Sequence, residues 1–80
     1  MNRVRDILNE IKWRSNYDFN KVEIWYTHRG APDDTMIITG GEIKSIGKTF
    51  IETIDAVIPH HRIFKIVYGG RVLFLRRDKV

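Results

Sequence analysis

Apolar residues near the start of the chain recur with helical spacing. Val4, Ile7, Leu8 and Ile11 fall at i, i+3, i+4 and i+7, which places them in one stripe along a helix. Asn2 is suited to cap that helix by accepting a backbone N–H bond. Arg3, Arg5, Asp6, Asn9, Glu10 and Lys12 are expected on the solvent side, and Trp13 is expected to close the apolar face. The run "RSNYDFN" then supplies the Ser, Asn and Asp residues that end helices.

Beyond it the period drops to two. "KVEIWYT" alternates, with Val22, Ile24 and Tyr26 on one face and Glu23, Trp25 and Thr27 on the other. "GAPDD" reads as a turn, "TMIIT" as a short strand, and Gly40-Gly41 as its end. "EIKSIGK" fits either a short strand or a helical turn. "TFIETI" and "HRIFKIVY" read as strands, and Gly69-Gly70 before "RVLFLRR" signals a tight hairpin. "RDKV" reads as a frayed charged tail.

The pattern predicts a helix followed by about five strands with short connections. Parallel crossovers need about a dozen residues or more, so the sheet should be mostly antiparallel. "HRIFKIVY" is apolar on both parities, with Phe64, Ile66 and Tyr68 on one side and Ile63 and Val67 on the other. A flat sheet with one wet face does not require that. The expected fold is therefore α+β: an N-terminal helix packed on a curled, mostly antiparallel sheet or small open barrel, residues 1–80 forming one domain.

Composition narrows the function classes. With 42% hydrophobic and 30% charged residues among 80, the chain is globular material. It has no cysteine, which excludes a disulfide scaffold and a cysteine-based zinc site and fits a cytoplasmic setting. The charged start "MNRVRDILNE" does not read as a signal peptide, and no apolar run is long enough for a membrane span, so no membrane partner is expected. Net charge is +4 and the sequence pI about 9.7, a balance that favours anionic partners.

All three histidines sit in two stretches, "THRG" at 27–30 and "IPHHRI" at 58–63. Each puts a histidine directly before an arginine. An arginine fork matches two phosphate oxygens, and a neighbouring histidine adds a donor that a phosphate can help to charge. His28, Arg29, His61 and Arg62 can therefore build one compact anion site. Neighbours in a regular strand point to opposite faces, so each pair shares a ligand only if the chain bends, which Gly30 and Pro59 favour. On this parity His60 faces away from His61 and is expected to be replaceable. Arg76 shares the phase of Val72 and Phe74, and only its place at the strand end lets it reach a ligand. Trp25, Tyr26, Phe64 and Tyr68 are candidate stacking surfaces for a base.

A bland alternative stands beside each reading. His28 can be a rim residue satisfied by a carbonyl, Arg62 can pair with Asp55 or Glu52, and single aromatics are usually core. No His-x-x-x-His spacing occurs, so neither a metal site nor any other cofactor is expected.

The segments "VRDILNEIKW", "YTHRGAPDD", "IPHHRI" and "VLFLRR", in that order over residues 3–77, resemble a family of small, mainly archaeal proteins known as the RNA cyclic group end recognition domain. The most specific matches are His28-Arg29-Gly30, Ile58-Pro59 and His61-Arg62-Ile63, with Arg76 matching a basic residue that follows an aromatic. Phe74 stands where the family pattern has tryptophan, and His60 where tyrosine is frequent.

The resemblance implies a module that binds single-stranded or looped RNA ends bearing a 2′,3′-cyclic phosphate or related phosphate, without catalysis. It also implies association with an RNA-processing enzyme. In that role Arg29 and Arg62 would grip the terminal phosphate and His28 and His61 would donate to it. Arg76 would hold the next phosphate, and Tyr26 or Trp25 would stack on the base. Two other classes remain open. A two-histidine phosphodiesterase needs no metal, but the His-x-Thr/Ser pairs of such enzymes are missing here. A basic protein-interaction domain is the third.

Overall fold

A computed structural model describes residues 3–76, so the Asn2 cap and the tail beyond Arg76 lie outside the described residues. Helix α1 (Arg3–Trp13) buries Val4, Leu8 and Ile11, as its stripe requires. Trp13 is 82% exposed and does not close that face. At about 100° per residue it lies some 200° round the helix from Ile11, on the opposite side.

Seven strands follow: β1 (Glu23–Thr27), β2 (Thr35–Thr39), β3 (Ile43–Ile46), β4 (Phe50–Thr53), β5 (Val57–Pro59), β6 (Ile63–Tyr68) and β7 (Arg71–Leu75). They form two open sheets, not a single sheet and not a closed barrel, ordered β2-β1-β6-β7 and β3-β4-β5. Every pairing is antiparallel. The α+β class therefore holds, while the strand count rises from about five to seven. The ambiguous "EIKSIGK" becomes β3, and β5 lies in "VIP", too short to show an alternation.

A bulge explains why "HRIFKIVY" is apolar on both parities. Along the β1–β6 pair Trp25 lies opposite Lys65, but Tyr26 lies opposite Ile63, so Phe64 is the extra residue. One extra residue resets the alternation. Ile63 and Ile66, of opposite parity, both end at 0% exposure on the inner face. There they meet Ile24 and Ile38 of their own sheet, Val22 just before it, Ile51 and Ile58 of the second sheet, and Leu8 of the helix. Each such side chain contributes about 1.5–3 kcal/mol on full burial, so this shared core binds both sheets to the helix.

Three glycines are required by geometry. Gly69 and Gly70 take φ of +57° and +79°, the conformation of a two-residue hairpin turn between β6 and β7. Gly40 donates its N–H to the Val22 carbonyl at 2.9 Å, and a Cβ there would run into the Phe19 carbonyl oxygen.

Candidate functional site

The "THRG" stretch leaves β1 and closes a loop stitched by its own backbone. The His28 N–H donates to the Asp34 carbonyl at 2.8 Å, the Ala31 N–H donates to the His28 carbonyl at 3.2 Å, and the Asp34 N–H donates back to Ala31 at 2.8 Å. Gly30 takes φ of +96° and donates its N–H to the Asp34 carboxylate at 3.2 Å. Asp33 and Asp34 both hold left-handed conformations, at φ of 56° and 51°. The side chains of His28 and Arg29 are exposed. The His28 ring meets the Tyr26 ring edge-on, centroids 6.2 Å apart.

The second stretch behaves differently. Pro59 ends β5, and His60–Arg62 form one turn of 3-10 helix before β6. A tight turn replaces the strand geometry, so strand parity does not apply to these residues. His60 is 6% exposed, so it is a core side chain whose truncation is expected to cost stability. Like Ile58 two residues earlier, it is buried. Its backbone N–H donates to the Thr49 carbonyl at 2.9 Å. Burial lowers the His60 pKa; a backbone hydrogen bond with Phe50 opposes that shift and the charge of Arg5 reinforces it. His61 and Arg62 are exposed.

Next to this turn lies an open basin of about 660 Å³. Arg3, Lys48, His60, His61 and Arg76 line it with Phe74, and none of the described lining residues is acidic. Arg76 is fixed in place: its Nε donates to the Ile63 carbonyl at 3.2 Å and an Nη to the His60 carbonyl at 3.4 Å. The guanidiniums of Arg3 and Arg76 both lie over the Phe74 ring, 5.8 Å and 5.6 Å from its centroid. A guanidinium has five N–H donors, so these two carbonyl bonds leave Arg76 with donors for an anion. The strand phase of Arg76 did turn it inward, and its position at the strand end opens it to the basin.

Of the residues singled out in the sequence, the basin gathers His61 and Arg76. His28, Arg29, Gly30 and Arg62 do not line it. Register nevertheless brings the two stretches to the same end of the four-stranded sheet, because Tyr26 at the end of β1 pairs with Ile63 at the start of β6. Tyr26 is a core residue at 7% exposure, not a surface for stacking, and burial, then the charge of Glu42, raises its pKa. Tyr68 sits at the far end of β6, edge-on to Tyr17 at 4.8 Å, and its hydroxyl accepts the Asp18 N–H at 2.7 Å. Trp25 lies on the outer face of the sheet, away from the core, in a separate pocket.

The sequence reading missed Arg3, Lys48, Phe74 and His60 as lining residues. Arg3 precedes Ile7 by four residues and so shares the edge of the apolar stripe, a usable signal. Lys48 sits in the connection between β3 and β4, and nothing in its flanks marks it. No helix among the described residues is long and apolar enough to cross a membrane, and no three His, Asp or Glu side chains among them cluster as metal ligands.

Fold and basin together define a small α+β domain with a basic concavity at one end. The chain belongs to the MJ1316 RNA cyclic group end recognition domain family, whose profile matches residues 1–76. A UPF0248 protein of Archaeoglobus fulgidus is 40% identical over 70 residues, covering 86% of this chain and 99% of that protein. The UPF0248 protein MJ1316 of Methanocaldococcus jannaschii is 33% identical over 76 residues, covering 92% of this chain and 94% of its own length. UPF0248 protein MK0350 of Methanopyrus kandleri is 33% identical over 61 residues, covering 76% of this chain and 82% of its own. No solved structure matches the chain.

Proposed function

We propose that the basin binds the phosphate of an RNA end, a 2′,3′-cyclic phosphate or a related phosphate terminus, and holds it without catalysis. The observation that carries this reading is the lining: Arg3, Lys48 and Arg76 with two histidines, and no acid among the described lining residues, in a chain of this family. Arg76 is the primary ligand, because its bonds to the His60 and Ile63 carbonyls fix its guanidinium before the phosphate arrives. Arg3 and Lys48 add charge from α1 and the β3–β4 connection, and His61 adds a ring nitrogen from the turn. Charge-assisted bonds of this kind contribute about 1.5–3 kcal/mol each. With two or three phosphates neutralised, log affinity should fall with log salt at a slope of about −1.5 to −2 for single-stranded RNA.

The test is titration against one short RNA ending in cyclic phosphate, 3′-phosphate or 3′-hydroxyl. The phosphate ends should bind more tightly than the hydroxyl, and equal affinity for all three would refute the reading. A catalytic reading is the alternative, because His60 and His61 line the same basin and could act as base and acid. The burial of His60 withdraws it from a substrate and favours binding alone. Opening of the cyclic phosphate during prolonged incubation would favour the alternative instead.

A further inference from the structure

The outer face of the four-stranded sheet carries a second cavity, of about 410 Å³, lined by Trp25, Pro32, Asp33, Ile37, Phe64 and Lys65. The bulge that buries Ile63 and Ile66 also puts Phe64 and Lys65 at one cavity, opposite Trp25 on the neighbouring strand. Two aromatic rings and a proline ring therefore meet around an open space. The Trp25 indole is held in orientation by its Nε1–H, which donates to Glu23 at 3.2 Å. The Lys65 ammonium lies 4.2 Å from the centroid of the same indole.

This cavity adjoins the basin through one strand pair. The Arg76 N–H donates to the Phe64 carbonyl at 2.7 Å, and Lys65 pairs with Leu75. Arg76 and Leu75 line the basin, while Phe64 and Lys65 line the outer cavity. From β7 across β6 to β1 is two strand spacings, about 10 Å.

We infer that the outer cavity takes an unpaired nucleobase of the same RNA whose phosphate end occupies the basin; this rests on the reading of the basin given above. The base stacks on Trp25 and Phe64, since every base has a π-face and such stacking is tolerant of sequence. Lys65 is the movable wall. Its ammonium sits on a flexible four-carbon stem, so it can leave the indole for the backbone phosphate as the base takes its place. Asp33 on the rim disfavours a second phosphate inside the cavity and accepts from the N–H groups of a base edge. The strand thus binds by its phosphate in a cavity lined by arginine and lysine and by its base in a cavity with aromatic walls.

The test uses the full chain carrying Trp13→Phe, which leaves Trp25 as the sole tryptophan of two. The probes are a short single-stranded RNA ending in cyclic phosphate, the same strand with its terminal nucleotides made abasic, and both strands with a 3′-hydroxyl. The intact strand should quench Trp25 emission, and the abasic strand should bind at least about tenfold more weakly with little quenching. Trp25→Ala should weaken the intact strand and leave the abasic strand unchanged. Equal binding of intact and abasic strands, with unmoved Trp25 emission and ends still discriminated, overturns the inference and leaves the basin reading standing. Quenching and weaker abasic binding with no discrimination between ends overturns the basin reading and keeps the outer cavity as a base site.

Discussion

The two His-Arg stretches look alike in sequence and are built for opposite purposes. In "THRG" the backbone does the bonding: three main-chain bonds and one to the Asp34 carboxylate close the loop, and the His28 and Arg29 side chains are left exposed. In "IPHHRI" the turn sends one histidine into the core and the next to the wall of the basin, while its carbonyls hold Arg76. The first stretch presents side chains on a loop that would keep its shape without them. The second joins a buried histidine, a basin-lining histidine and the carbonyls that hold Arg76 in one turn. A pairing of residue types is therefore weak information until the backbone that carries it is known.

Four substitutions or conditions sharpen the comparison. The largest effect is expected at His60. His60→Ala should cost about 2–3 kcal/mol in urea unfolding, as for other buried truncations, whereas His28→Ala should stay within about 0.5 kcal/mol. A His28 loss as large as that at His60 would erase the distinction. Next, Arg76→Ala should weaken binding of a cyclic-phosphate RNA by roughly tenfold to a hundredfold, the equivalent of one charge-assisted contact. Arg29→Ala should weaken it by less than about threefold, because an exposed, unburied charge is screened. The reverse order would move the site to the loop.

The pH dependence of stability is the third. With its pKa lowered, His60 is neutral in the folded protein at pH values where the unfolded chain, at about 6.5, binds a proton. Stability should therefore fall as pH drops from about 6.5 through the window down to the folded pKa, by no more than about 1.4 kcal/mol per pH unit. The fall should be shallower in His60→Phe, and chemical unfolding at several pH values reads it directly. The smallest effect is Gly30→Ala, expected to cost about 1 kcal/mol because φ of +96° disfavours a side chain, with RNA affinity little changed.

What could be read from the chain follows from how local each cause is. The helix stripe, the β1 alternation and the Gly69-Gly70 hairpin depend on neighbours within a few residues, and the structure has all of them. The second sheet was harder to see. β5 is only three residues long, and the 3-10 turn that buries His60 follows it directly. The bulge at Phe64 is not written locally, because it depends on how β6 meets β1; a parity count alone reads it as a strand apolar on both faces. The basin was half legible. His61 and Arg76 stood out from their neighbours, whereas Lys48 and Arg3 reach it from elements distant in sequence.

The central claim is that the phosphate end sits in the basin and not on the loop. The direct measurement is backbone amide chemical-shift mapping during titration with a short RNA ending in cyclic phosphate. The account predicts the largest shifts at Lys48, Thr49, His60, His61 and Arg76, with smaller changes over residues 28–34. Shifts concentrated at His28, Arg29 and Gly30, with the basin residues unmoved, would contradict it.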